Sequence, residues 1–159
     1  MRILVSILAV VCFVAVTQTP VAAQETNNAG TSSGLVADVH TGEVTGAALL
    51  YMISKSVQVG AGVGMQIREG SNAFYFSPRA RFLISILSYA YLFIDAQFRL
   101  LFGDASGTAL VFGVGLLSWV TSYVALYGGV AVLDLGFDPS YTTLGLLSAY
   151  VGMQLMLTQ

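Results

Sequence analysis

The groups best placed to do chemistry in this chain are arginines. Arg79 and Arg81 stand one residue apart inside NAFYFSPRARFLI (72–84), a stretch otherwise dominated by phenylalanine and aliphatic side chains. Asp95, Gln97 and Arg99 repeat that spacing in YLFIDAQFRL (91–100), and Gln66 and Arg68 close VQVGAGVGMQIR (57–68). Guanidinium groups beside a carboxylate support a neutralised, hydrogen-bonded ion cluster or a site that binds or gates a small solute. The cluster is the favoured reading, because a buried arginine needs a carboxylate within reach and Asp95 supplies one.

Other chemistries lack their parts. His40, the single histidine, lies with Asp38 at the tip of a first hairpin, on the inward face, and reads as a loop-edge residue. One histidine completes neither a metal site nor a hydrolytic triad. The glycines of GVGMQIREG (62–70) carry no phosphate-loop lysine, and they end a strand rather than open a helix. No catalytic residue, cofactor or metal is expected.

Only a strand places side chains two apart on one face. Tyr75, Ser77, Arg79 and Arg81 then share one face, opposite Phe74, Phe76, Pro78, Ala80 and Phe82. In 57–68, Val57, Val59, Ala61, Val63, Met65 and Ile67 oppose Gln58, Gly60, Gly62, Gly64, Gln66 and Arg68, a period of two that no helix produces. Val151, Met153, Leu155 and Leu157 oppose Tyr150, Gly152 and Gln154 in the same way. Breakers at 40–42, 69–72, 103–107 and 137–140 alternate with less acidic turns at 54–56, 84–88 and 118–122. The spacing predicts eight strands, over 35–40, 43–53, 57–68, 73–83, 89–102, 108–117, 123–136 and 141–157. An even number places both ends of the barrel domain on one side.

Composition names the solvent. Of 159 residues, 56% are hydrophobic and 9% charged, against about 25% charged in soluble domains. A lipid bilayer suits such a chain, and a net charge of −2 without a basic run excludes nucleic acid as a partner. Arg2, the apolar run 3–16 and small residues up to Ala23 read as a signal peptide (1–23) that contains the single cysteine, Cys12. A polar leader (24–34) and one domain (35–159) follow. The uncharged stretch 109–133 and a mean hydropathy of +0.79 keep a polytopic α-helical inner-membrane protein as an alternative. Against it, Asp95, Gln97 and Arg99 would share one span, where charge is expensive.

The expected fold is an all-β, eight-stranded antiparallel up-and-down transmembrane β-barrel, with grease outward and polar or tiny groups inward. A hairpin turning at EGSN sets Gly62 opposite Arg79 and Gly60 opposite Arg81. Asp95 then falls beside one of the two arginines. Trp119, Tyr123, Tyr89 and Tyr91 gather near two turns and read as an aromatic girdle at the membrane interface.

LLYMISKSVQVGAGVGM followed by NAFYFSPRARFLI resembles the small outer-membrane β-barrel family, with Ser77, Pro78 and Arg81 holding a Ser-Pro-x-x-Arg-like stretch. The resemblance covers most of 35–159. It implies an outer membrane of the Gram-negative type, insertion by the outer-membrane assembly machinery, and a structural role or a narrow pore for small or apolar solutes. The likeness departs at LMLTQ, where Gln159 stands in place of the family's terminal aromatic residue.

Overall fold

The computed structural model describes residues 33–42, 44–68, 71–104, 106–137 and 142–158. The expected signal peptide lies outside them, as does the leader up to residue 32. Nine strands form: β1 (Gly34–Gly42), β2 (Val44–Ser54), β3 (Val57–Arg68), β4 (Ser71–Ser85), β5 (Ala90–Gly103), β6 (Gly107–Trp119), β7 (Val124–Phe137), β8 (Thr142–Gly145) and β9 (Ser148–Met156). Neighbours pair antiparallel from β1 through β7, and β9 pairs with both β7 and β1, so the sheet closes on itself.

Strands β8 and β9 keep a single register against β7, with Asp134↔Gly145 in one and Ala131↔Ser148 in the other. They are one stave, interrupted at Leu146–Leu147. The molecule is therefore an eight-stranded antiparallel up-and-down barrel of the transmembrane type. No helix occurs among the described residues, which leaves the helical alternative without support. The interruption has a local cause. Leu147 adopts φ 60°, a left-handed conformation that costs a side-chain-bearing residue about 1–2 kcal/mol. Across the stave, a bulge at Phe112/Gly113 leaves Val132 without a partner on β6.

Alternation decides what the wall shows to each side. Phe74, Phe76, Phe82 and Ile84 of β4 are exposed, while Tyr75, Ser77, Arg79, Arg81 and Leu83 are buried. The register of the β3–β4 hairpin differs from the expected one by two residues. Arg68 pairs with Ser71, so pairing continues into the expected EGSN turn, and Gly60 lies opposite Arg79 while Gln58 lies opposite Arg81. A shift of two preserves every side chain's face.

Inside, apolar side chains close the end where β1 begins and β9 finishes. Val36, Leu50 and Met52 form one cluster there; Leu83, Phe93, Leu117 and Tyr127 form another. Trp119 packs against both, and Tyr91 against the second. These two were expected in the girdle. Their parity is inward, because Trp119 follows Leu117 by two residues on β6. Tyr89 and Tyr123 are exposed in the turns.

Glycines let rings lie flat across the inner wall. A Cβ on Gly46 or Gly64 would collide with the hydroxyl end of Tyr75, whereas a Cβ on Gly128 would meet nothing nearer than 3.9 Å. Gly64→Val is expected to lower stability by about 1–3 kcal/mol, and Gly128→Val to leave it within about 0.5 kcal/mol. Urea unfolding of the detergent-refolded barrel measures both, and equal costs would contradict this inner surface.

Candidate functional site: a buried ion cluster in the lumen

Each β4 arginine projects into the axis, and the neighbouring strand β5 supplies the first carboxylate. Arg81 pairs with Asp95 across the β4–β5 ladder, and Arg79 with Gln97. Arg81 donates from Nη2 to Asp95 Oδ2 at 3.0 Å. Arg79 donates from Nε to Asp95 Oδ1 at 3.4 Å and from Nη2 to Oδ2. The ladder skips Ser77 and Pro78, as it must where proline has no N–H to give.

The second carboxylate comes from the far side of the barrel. Asp38 of β1 accepts from Arg79 Nη1 at 3.0 Å and from Arg81 Nη1 at 3.1 Å. Tyr127 OH donates to Asp38 Oδ1 at 2.8 Å, and Gln154 Nε2 to Oδ2 at 3.0 Å. Two arginines and two aspartates thus make a square of zero net charge. All four are almost without solvent contact. Arg81 is also clamped between rings, its Cζ 4.6 Å from the Phe93 centroid and 4.5 Å from that of Tyr127, an arrangement that favours a cation.

The network extends both ways. Gln154 and Gln58 bond reciprocally at 3.1 and 3.3 Å. His40 places Nδ1 3.3 Å from Asp38 Oδ1 and Nε2 3.1 Å from Tyr75 OH. Gln97 donates to Asp95 at 3.3 Å and accepts from Arg99 at 3.3 and 3.4 Å. Arg99 stands 3.6 Å from Asp134, with its Cζ 5.3 Å from the Tyr75 ring centroid.

The structure therefore brings Arg79, Arg81, Asp95, Gln97 and Arg99 together. Gln66 is half-buried on β3 beside Ala73, and the side chain of Arg68 lies outside the described residues. His40 is not a loop-edge residue: β1 runs on to Gly42, which carries the histidine inside the wall. Asp38, the hub, was missed along with Gln58, Gln154 and Tyr127. Asp38 and His40 were both expected on the inward face, but at a hairpin tip rather than within the ion cluster.

Chemically, the arrangement is a plug. Both ring nitrogens of His40 are engaged, so His40 has no nitrogen to offer the Ser77 hydroxyl, which has no hydrogen-bond partner among the described residues. Above the square, toward the acidic turns, a recess lined by His40, Gln97, Arg99 and Tyr150 has a free volume of about 20 Å³, room for about one water.

No family model matches the chain, and no curated protein does. Solved structures do. The N-terminal β-barrel domain of Pseudomonas aeruginosa OprF aligns at a TM-score of 0.59 and 15% identity, over 80% of this chain and 99% of that one. The de novo designed barrel TMB2.3 aligns at 0.55 and 16%, over 80% and 96%. A second structure from the de novo design of transmembrane β-barrels aligns at 0.53 and 15%, over 79% and 96%. The likeness is one of fold.

Removing one charge from the square leaves another buried and unpaired. Asp38→Asn is expected to cost about 3–5 kcal/mol, and adding Arg81→Gln to that variant should recover part of the loss, since net charge returns to zero. Detergent unfolding of the two single variants and the double variant checks this. Strictly additive losses would show that the four groups are not coupled.

Proposed function

We propose that this chain is an integral outer-membrane β-barrel that serves the structure of the envelope and conducts nothing. One observation carries the reading. The lumen is stopped at mid-height by the Asp38–Arg79–Arg81–Asp95 square, with Arg81 wedged between Phe93 and Tyr127. Below it lie packed apolar residues; above it is space for about one water. An eight-stranded barrel has interior room only for its own side chains, and here they fill it.

The membrane side of the proposal rests on the outer wall. Residues such as Phe74, Phe76, Phe82, Ile84, Phe98 and Phe102 are solvent-accessible on the isolated chain, and exposure of large apolar residues on this scale belongs in lipid rather than water. Support for the outer membrane comes from the fold shared with the OprF barrel domain and from the expected secretion signal. The assembly machinery is the partner such a barrel requires. The support for a non-enzymatic role is that the four charges of the square, with His40, Gln97 and Gln154, are engaged with one another.

Two measurements test this. Purified barrel in planar bilayers should give a flat current trace; steady unit conductance would establish the pore reading instead. Trp119, the single tryptophan, should escape quenching by brominated lipids because it faces the lumen, while a Phe76→Trp, Trp119→Phe variant should be quenched. The opposite pattern would reverse the wall.

A further inference from the structure

The wall of the barrel is uneven at the acidic-turn end. Pairing between β1 and the eighth stave stops at Gly42↔Tyr150. From Ala149 up to Thr142 that stave pairs with β7 alone among the described strands. The β1–β2 hairpin therefore ends low, and beside it stands a free strand edge of the kind proteins rarely leave unguarded. Leu144, Leu146 and Leu147 along this edge are 62%, 64% and 72% exposed, the last in a left-handed conformation. The recess above the ion square opens at this notch. Its lining joins Val44, the first residue of β2, and Ser148 and Ala149 of the free edge to Arg99 and Tyr150 within.

Arg99 differs from the two arginines below it. Arg79 and Arg81 each hold both carboxylates of the square. Arg99 has one counter-ion, Asp134 at 3.6 Å, and otherwise leans on Gln97 at 3.3–3.4 Å. Those contacts leave part of its planar donor fork uncommitted, at only 7% exposure, in a geometry that suits a carboxylate. Tyr150 adds a buried hydroxyl with no hydrogen-bond partner among the described residues, on the same recess. The free volume, about that of one water, takes a single carboxylate oxygen rather than a bulky phosphodiester, so the rest of the head group stays in the notch. An acyl chain would have to stay outside, where the three leucines lie.

We propose that this notch is a lateral docking site for a long-chain fatty carboxylate drawn from the bilayer, with its head group on Arg99 and its chain along the Leu144–Leu147 edge. The proposal rests on the membrane reading above, whose own failure would appear in the quenching measurement. It is compatible with a non-conducting lumen, because the ligand enters from the side and stops at Arg99.

The full barrel in phosphatidylcholine nanodiscs, titrated with the fluorescent long-chain carboxylate cis-parinarate at mildly alkaline pH, tests it against empty nanodiscs. Saturable binding is expected, displaced by palmitate and not by butyrate. Arg99→Gln should weaken it at least tenfold, and Ser148→Trp, which fills the recess from β9, should abolish it. Heat-modifiable gel migration establishes that each variant is folded, and Ser148→Trp decides alone if Arg99→Gln does not fold. No saturation above empty discs, unchanged affinity in the folded variants, or displacement by butyrate as effective as by palmitate would overturn the proposal. The last result would mark a site for free small anions instead.

Discussion

Four charges that cannot leave one another organise this barrel. In a narrow, dry tube an unpaired guanidinium or carboxylate costs several kcal/mol, so Arg79, Arg81, Asp38 and Asp95 are stable only as a set. Each carboxylate touches both arginines, and no member can be removed without stranding another. Hydrogen bonds from Tyr127, Gln154 and Gln97 occupy further carboxylate lone pairs, as buried charge demands.

The wall is shaped around that requirement. Phe93, Tyr127 and Tyr150 lie within 5.7–6.3 Å of one another, ring centre to ring centre, and enclose the square on one side. They can lie against the sheet because Gly115, Gly129 and Gly152 face them, where any Cβ would meet a ring. Tiny residues and large rings thus alternate around the lumen, and the inner volume is consumed without strain on the strands. The outer face has no such constraint and is simply apolar.

Much of this was readable from a single repeat. Period-two alternation in 57–68, 73–83 and 91–100 assigns the walls, and the same parity assembles Arg79, Arg81, Asp95, Gln97 and Arg99. Errors arose where local pattern is silent. Asp38 lies 41 and 43 positions from the arginines it serves, and contacts across a closed barrel leave no trace in neighbouring residues. His40 was misplaced because HTG looks like a turn, while the strand continues through it to Gly42. Trp119 and Tyr91 resemble interfacial aromatics by composition, and only their parity with Leu117 and Phe93 shows that they close the lumen. The break at Leu147 carried no signal, since leucine seldom adopts that backbone.

The two carboxylates of the square lie far apart along the chain, one on β1 and one on β5, with both arginines on β4 between them. To the square, the β4–β5 hairpin alone brings two cations and one anion, and so leaves it with a net positive charge. Its compensation arrives only when β1 meets β9 and the cylinder is complete. Until the cylinder closes, one guanidinium has no carboxylate of its own, so the ion square and the closing seam complete each other.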